Sequence, residues 1–254
     1  MARIAVITGG TSGLGKRVIE RLLDDDWHVW SLSRSEKRLE EQQAALNAGD
    51  RLRYAPCDVG DHESVSNVFA LIRSQTNQID ALICSAGINI QGSLEDMTPQ
   101  QANDLIGTNL LGPWLCVREA LPLLRENADV SNPKRVVIIG SIGGMRPKVG
   151  AGIYSATKAA AHILSQVFAV ELASSGIVVN VVAPGSTNTP MLAEAQQAVG
   201  NSAYRPSGAS PLGRIAEPDD IVDVVQFFLS DAAKFVNGAI LPVDGGTRAA
   251  YMKT

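Results

Sequence analysis

The sequence predicts an α/β fold: one doubly wound parallel sheet of about seven strands with helices on both faces. Three observations predict it. Short apolar, β-rich runs alternate along the 254 residues with stretches of helical period. Several runs are apolar throughout, as strands are when helices cover both faces of their sheet. A glycine-rich turn, Thr8-Gly9-Gly10-Thr11-Ser12-Gly13-Leu14-Gly15, joins the first run to the first helical stretch. Alternation of this kind closes into a parallel sheet through right-handed crossovers.

In chain order, the first strand is expected over Ile4–Thr8 and the first helix over Leu14–Asp25. A strand over His28–Ser33, a helix over Glu36–Asn47 and a strand over Leu52–Ala55 follow. Next come a helix over His62–Thr76 and a strand over Ile79–Cys84. The fourth helix is read as one long element, Pro99–Asn127. Its start is well marked: Thr98 is an N-cap, Pro99 takes the first helical position and Gln101 the third. A strand over Val136–Gly140, a helix over Ile153–Ser175 and a strand over Val178–Ala183 continue the pattern. A helix over Pro218–Ser230 and a last strand over Ala239–Val243 complete it. The least regular stretch, Gly185–Glu217, is rich in Ala, Gly, Pro, Ser and Gln. It follows the sixth strand at the carboxyl edge of the sheet, where ligands bind in open α/β sheets. Residues 186–216 are therefore expected to form a substrate lid. With no repeat, low-complexity tract or linker, residues 1–254 are read as one dinucleotide-binding and catalytic domain.

Composition excludes several classes of function. At 45% hydrophobic and 19% charged, the chain suits one soluble globular domain with a sizeable core, or at most two small ones. Apolar runs such as Arg135–Gly140 fall far short of the ~20 residues that span a bilayer. The N-terminus enters a strand almost at once, without the apolar core and cleavage site of a signal peptide, so a cytoplasmic protein is expected. Net charge is −4 and the basic residues are scattered, which argues against nucleic acid or a membrane surface as partner. Cys57, Cys84 and Cys116 lie far apart with no CxxC spacing and are read as reduced, buried thiols. His28, His62 and His162 form no ligand spacing, so no metal is expected.

The glycine-rich turn carries the first functional signal. Glycines between a strand and a helix permit a tight turn and let backbone N–H groups approach a pyrophosphate, which then meets the positive end of the helix. Gly9, Thr11, Ser12, Gly13, Leu14 and Gly15 are the candidate phosphate cradle.

From this turn onward the whole chain resembles the short-chain dehydrogenases/reductases. The resemblance rests on the turn, on Cys57-Asp58-Val59, on Cys84-Ser85-Ala86-Gly87 and on Asn109-Leu110-Leu111-Gly112. It continues through Ser141, Tyr154-Ser155-Ala156-Thr157-Lys158, Pro184-Gly185 and Val243-Asp244-Gly245-Gly246, in order and at matching separations. It implies a Rossmann-type fold, a nicotinamide cofactor and hydride transfer between a carbonyl and an alcohol. One departure stands out: the family usually has two asparagines where this chain has Cys84-Ser85. Altered packing, not lost chemistry, is the expectation there. By the same resemblance Asp58 and Val59 contact the adenine, and Ser85, Ala86 and Gly87 line the cofactor side.

The end of the second strand meets the adenosine ribose in this fold. An acidic residue there favours NAD, and an arginine accommodates the 2′-phosphate of NADP. Ser33 stands where NAD-dependent relatives usually carry aspartate, and Arg34 follows it. NADP(H) is therefore the expected cofactor.

Reducing a ketone needs a hydride and a proton. A free tyrosine titrates near 10, too high for ready proton exchange at pH 7. A cation alongside favours the phenolate and lowers that value. Residues four apart share a helix face, so Lys158 can serve Tyr154 in this way. Tyr154 is then general acid in reduction and general base in oxidation. By resemblance, Lys158 also binds the nicotinamide ribose, Ser141 orients the substrate oxygen, and Asn109 interrupts its helix to hold a water behind the lysine. Pro184, Gly185, Thr187 and Thr189 are candidates for the nicotinamide amide or pyrophosphate, Thr189 foremost by its place in the family motif.

Resemblance places the substrate among Ser141, Ile142, Gly143, Met145, Lys148, Tyr154, Gly185, Ser186, Met191 and Leu192. A ketoreductase is expected, of the type that acts on 3-oxoacyl groups held on a carrier protein. An acidic carrier would want a basic entrance, to which Arg125, Lys134, Arg135 and Arg146 could contribute. The wording "RPKVGAGIYSATKAA" with "VVAPGSTNTPM" is also similar to dihydro-dihydroxybenzoate dehydrogenases, which makes a dihydrodiol dehydrogenase the alternative. In that reading Lys148 pairs with a substrate carboxylate. A remoter alternative is a non-catalytic NADP(H)-sensing module, against which stand Asn109, Ser141, Tyr154 and Lys158. Resemblance further implies a homotetramer, with a homodimer next, assembled through the two long helices and the last strand.

Overall fold

The computed structural model describes residues 2–197 and 208–249. Seven strands form one sheet: β1 (Ile4–Thr8), β2 (His28–Ser33), β3 (Leu52–Pro56), β4 (Ala81–Cys84), β5 (Lys134–Ile139), β6 (Ile177–Pro184) and β7 (Ile240–Val243). Their order is β3-β2-β1-β4-β5-β6-β7, and every pairing is parallel. The chain winds outward from β1 to β3, then returns to the centre and winds the other way from β4. The reversal opens a crevice at the carboxyl ends of β1 and β4, the place where such sheets bind ligands.

Eight helices connect or flank the strands among the described residues: α1 (Gly13–Asp24), α2 (Glu36–Leu46), α3 (His62–Gln75), α4 (Pro99–Ile106), α5 (Gly112–Arg125), α6 (Gly152–Glu171), α7 (Pro190–Gln197) and α8 (Pro218–Leu229). Strand side chains alternate between two cores, as a period of two requires. Val6 of β1 with Leu82 and Cys84 of β4 pack against α3, α5 and α6, through residues such as Phe69, Leu124 and Phe168. Ala5, Ile7, Ala81 and Ile83 face α1 and α8, meeting Ile19, Leu22, Val222 and Phe228. Each large aliphatic side chain buried this way contributes about 1.5–3 kcal/mol. Such double cover is why the strands read as continuously apolar.

The long fourth helix expected from the sequence is broken in the structure. The Thr98 capping box forms as expected, but the helix loosens into a π segment at Gly107–Leu111 before α5 begins. Two local causes coincide. The Asn109 amide turns away to bond Ile88, and Pro113 brings no N–H to the ladder. The helix expected over Ile153–Ser175 starts at Gly152, ends at Glu171 and closes with a tight turn at Ala173–Ser175, with Gly176 in the left-handed region beyond it. The fourth strand starts at Ala81 and not at Ile79, because Asp80 is held by Lys134 Nζ at 2.6 Å and by the Ile4 N–H at 2.8 Å. Within residues 186–216 the chain forms α7, not among the helices expected from the sequence, and residues 198–207 of that stretch lie outside the described residues. Among the described residues no helix is long and apolar enough to cross a membrane, and no cluster of His, Cys, Asp and Glu could hold a metal.

Candidate active site

The crevice is built from the loops after β1, β4, β5 and β6. After β1, Gly9 and Gly13 adopt φ of +69° and +51°, which L side chains rarely tolerate. A Cβ on Gly9 would also come within 2.8 Å of the Ala86 backbone, and one on Gly15 would strike the Gly9 carbonyl oxygen. The turn is thus drawn against both the next loop and its own helix. Ser12, in extended backbone, precedes α1, and no side chain among the described residues caps the first-turn N–H groups. Ser12, Gly13 and Leu14 line the crevice, so free donors and the positive helix end face it together, as an anion-binding site requires. The arrangement fits a dinucleotide pyrophosphate.

Thr11 leaves the crevice wall and pairs its hydroxyl with that of Ser33 at 2.8 Å, tying the turn to the end of β2. Arg34 is exposed beside it, and no carboxylate among the described residues pairs with it. Asp58 is exposed at the end of β3, its carboxylate accepting the Gly60 N–H at 2.9 Å. Val59 is buried where a Cβ on Gly112 would come within 2.9 Å of it. Ser33, Arg34, Asp58 and Val59 therefore flank the crevice at the strand ends and do not line it. A serine hydroxyl with a neighbouring guanidinium, and no carboxylate at the end of β2, fits an added 2′-phosphate.

After β4, the Thr8 hydroxyl accepts the N–H groups of Ser85 and Ala86 at 3.2 and 3.1 Å, which pins this loop to the glycine turn. Cys84 is fully packed in the core, its thiol pushed up to about 12 by burial. Cys84 thus packs as a core residue, while Ser85 next to it lines the crevice. A Cβ on Gly87 would sit 3.3 Å from Asn109 Oδ1 and 3.5 Å from Lys158 Nζ. Asn109 is only 1% exposed. Its oxygen accepts the Ile88 N–H at 2.9 Å, and its amide donates to the Ile88 carbonyl at 2.9 Å and to Thr157 Oγ1 at 3.3 Å. It stands behind the crevice wall, locking the loop to α6.

Lys158 and Tyr154 lie on the first turns of α6. Lys158 is 6% exposed and donates to the Ile139 carbonyl at 2.9 Å. Its Nζ stands 5.9 Å from the centre of the Tyr154 ring. Burial lowers its pKa to about 8, with Cys84 opposing the shift slightly, so the ammonium remains the major form at pH 7. Across the opening, Ser141 caps a short turn at Ile142–Gly144, its Oγ accepting the Gly143 N–H at 3.0 Å. A Cβ on Gly143 would meet Ser141 Oγ at 3.2 Å, Tyr154 Cε1 at 3.5 Å and Ser155 Oγ at 3.6 Å. Glycine at 143 is what lets these hydroxyl-bearing side chains converge. Ser141, Tyr154 and the buried Lys158 all line this opening.

The crevice encloses about 330 Å³. Of the residues assigned from sequence it gathers, besides Gly9, Ser12, Gly13 and Leu14 of the glycine turn, Ser85, Ala86, Gly87, Ser141, Ile142, Gly143, Lys148, Tyr154, Lys158, Pro184, Gly185, Ser186, Thr187, Thr189, Met191 and Leu192. Thr187 donates its hydroxyl to the Gly185 carbonyl at 3.1 Å, and Thr189 to the Thr187 carbonyl at 3.2 Å. Met145 is a correction: its N–H closes the turn onto the Ile142 carbonyl, and it does not line the crevice. Asn89 and Ala195 line it without having been anticipated, because they arrive from a loop after β4 and from α7 with no local motif; Ala151 and Ser155 join them from the start of α6, beside and within the Tyr154–Lys158 motif. Among the described residues, the charged ones that line the crevice are Arg146, Lys148 and Lys158, all cationic. Arg146 donates to the Thr247 carbonyl at 2.9 Å, and burial together with Arg146 lowers the pKa of Lys148. Of the other basic residues considered for an entrance, Lys134 and Arg135 are buried at the start of β5, at the opposite end of the sheet.

Residues 9–248 match the family model described as enoyl-(acyl carrier protein) reductase. A vibriobactin-specific 2,3-dihydro-2,3-dihydroxybenzoate dehydrogenase of Vibrio cholerae is 33% identical over 251 residues, covering 95% of this chain and 94% of its own. A rhamnolipids-biosynthesis 3-oxoacyl-[acyl-carrier-protein] reductase of Pseudomonas aeruginosa is 29% identical over 248 residues, covering 96% and 95%. A solved actinorhodin polyketide ketoreductase with NADPH superposes with a TM-score of 0.88 at 27% identity, covering 97% of each chain.

Proposed function

Since the chain belongs to the short-chain dehydrogenase/reductase family, we propose that it is an NADP(H)-dependent ketoreductase of the 3-oxoacyl-carrier-protein reductase type. The observation that carries this reading is the buried Lys158 ammonium beside Tyr154, with Ser141 across the same opening. Bound at the glycine turn, the nicotinamide dinucleotide supplies or accepts the hydride. The chain's own residues do the rest. Ser141 Oγ donates to the substrate oxygen and stabilises charge as it develops there. Tyr154 gives that oxygen its proton in reduction and removes it in oxidation. Lys158 holds a positive charge close enough to favour the phenolate, and the Ile139 carbonyl fixes it in place. Pro184, Gly185, Thr187 and Thr189 border the cofactor end, and Met191 and Leu192 of α7 supply apolar cover, which supports a lid over residues 186–216. Arg34 and Ser33 support NADP(H) over NAD(H). Turnover of a generic diketone with NADPH, abolished by Tyr154→Phe, is expected; a protein that binds NADPH without such turnover would instead be a sensing module.

A second reading, a dihydrodiol dehydrogenase acting on a ring carboxylate, is favoured by one observation: among the described residues, the charged ones lining the crevice are all cationic. Lys148 with Arg146 would then receive the carboxylate. Lys148→Ala is expected to raise KM for acidic substrates at least tenfold and to leave neutral ketones unaffected; unchanged KM for every acidic substrate defeats the reading. We further propose a cytoplasmic homotetramer, with a homodimer as the alternative. Exposed Leu111 and Trp114 near the start of α5, exposed Ile163, Val167 and Val170 on α6, and Phe235 beside β7 support an assembly that covers them.

A further inference from the structure

We propose that His162 is a positioning residue for Ser141: its imidazole holds the backbone of the loop that carries the serine and so sets where Ser141 Oγ stands relative to Tyr154. The inference rests on the catalytic reading of Ser141 given above and extends the working constellation by one residue that never touches substrate.

Tyr154, Lys158 and His162 follow one another at intervals of four along α6 and share one stripe of it. The last two both reach the carboxyl end of β5. Lys158 Nζ donates to the Ile139 carbonyl at 2.9 Å. His162 Nε2 accepts the Ser141 N–H at 3.4 Å, and that N–H has no other partner among the described residues. The ring also fills the space between the two glycines that bracket the serine loop. A Cβ on Gly144 would come within 2.8 Å of His162 Cε1, and one on Gly140 would strike Nε2. Helix α6 thus grips the Ile139–Gly144 segment at two points one helical turn apart, while presenting the tyrosine from the turn before. Among the described residues Ser141 has no side-chain tether beyond the Gly143 N–H, so the direction of its Oγ follows the backbone that the imidazole fixes.

His162 is 3% exposed and absent from the crevice lining, which separates positioning from contact with substrate. An Nε2 that accepts a hydrogen bond carries no proton, which assigns the ring hydrogen to Nδ1. Burial and the neighbouring Lys158 charge lower the His162 pKa to about 4, so that lone pair is available throughout the neutral range. Misplacing a catalytic group by a fraction of an ångström to one ångström costs up to about 100-fold in rate.

The test is a double-mutant cycle between His162→Leu and Ser141→Ala, with His162→Gln as the rescue variant that restores an acceptor. Diketone turnover with NADPH, NADPH affinity by fluorescence and thermal unfolding are measured for each. The expected result is a roughly tenfold or greater fall in kcat for His162→Leu, with NADPH affinity within about twofold of the parent protein. Partial recovery is expected in His162→Gln, and no further loss when His162→Leu is added to Ser141→Ala. The inference is overturned if kcat is unchanged in His162→Leu, or if the loss recurs in full in the Ser141→Ala background. Full activity of Ser141→Ala by itself would instead remove the catalytic reading of the serine, and the inference with it. Should the leucine variant not fold, His162→Met, also without a ring acceptor, takes its place in the cycle.

Discussion

At the scale of single residues, the site works by burying charge where charge is costly. Lys158 keeps an ammonium in a position that lowers its pKa to about 8 through burial. The folded value lies below the unfolded 10.5, so the cost is fully present below pH 8 and is relieved as pH rises toward 10.5. Lys158→Met is therefore expected to unfold at a higher temperature than the parent protein at pH 7 while losing turnover, and the difference in Tm should shrink between pH 8 and 10.5. His162 behaves in the opposite pH range. Its folded pKa of about 4, lowered by burial and then by Lys158, lies below the unfolded 6.5. Stability attributable to neutral His162 is complete above pH 6.5 and is lost as pH falls toward 4, at no more than about 1.4 kcal/mol per pH unit. Urea titrations of the parent and His162→Gln proteins between pH 7 and 4 should show the steeper acid loss only in the parent. For cofactor choice, Ser33→Asp places a carboxylate where a 2′-phosphate would lie. It is expected to lower kcat/KM with NADPH by about 100-fold or more and to raise it with NADH, because Coulomb repulsion at contact distance is worth several kcal/mol in a partly buried site. Of these residues, Ser33, Tyr154 and Lys158 were legible in the sequence, because a strand end and an i, i+4 spacing are local patterns. His162 was not, because its meaning lies in a contact with Ser141, 21 residues earlier.

At the scale of elements, the glycine turn and the interrupted helix carry the design. The turn survives only without side chains: Gly9→Ala sets a Cβ 2.8 Å from the Ala86 backbone at a left-handed φ. It is expected to lower Tm by several degrees and dinucleotide affinity by at least tenfold, read by calorimetry and fluorescence titration. Its place between an apolar strand and a helix made this turn legible in the residues alone. The break at Gly107–Leu111 was legible only through the resemblance, which has Asn109 interrupt its helix; helical periodicity alone ran straight through it, because its cause includes a side chain spent on Ile88, 21 residues away. Helix α7 was passed over as well: its Met191–Gln197 run consists of good helix formers, but it is short and sits in a stretch otherwise rich in Gly, Pro and Ser. Strand ends shifted by a residue or two where side chains such as Asp80 claimed backbone donors.

At the scale of the whole molecule, the alternation of strands and helices determined sheet order, because right-handed crossovers leave few ways to bury continuously apolar strands. What alternation cannot convey is which loops meet above the sheet, so crevice residues such as Asn89 and Ala195 escaped notice while the crevice's location did not. Exposed Ile163, Val167 and Val170 form one stripe along α6. Replacing Val167 and Val170 by glutamate is expected to reduce the particle mass measured by light scattering by at least half, since two charges would be buried in the proposed contact. An unchanged mass would place the contact elsewhere, with Phe235, 99% exposed, as the next site to alter.

The absence of any carboxylate among the described residues lining the crevice bears on capture as well as recognition. The protein as a whole carries a charge of −4, so an anionic ligand is repelled at a distance and drawn in only near the opening, where Arg146, Lys148 and Lys158 focus the local field. Added salt acts on that attraction over roughly 8–10 Å and leaves short internal contacts nearly untouched. The bimolecular arrival of NADPH should therefore slow as ionic strength rises, while the rate of the bound complex stays level. Stopped-flow binding set against single-turnover decay across a salt series separates the two.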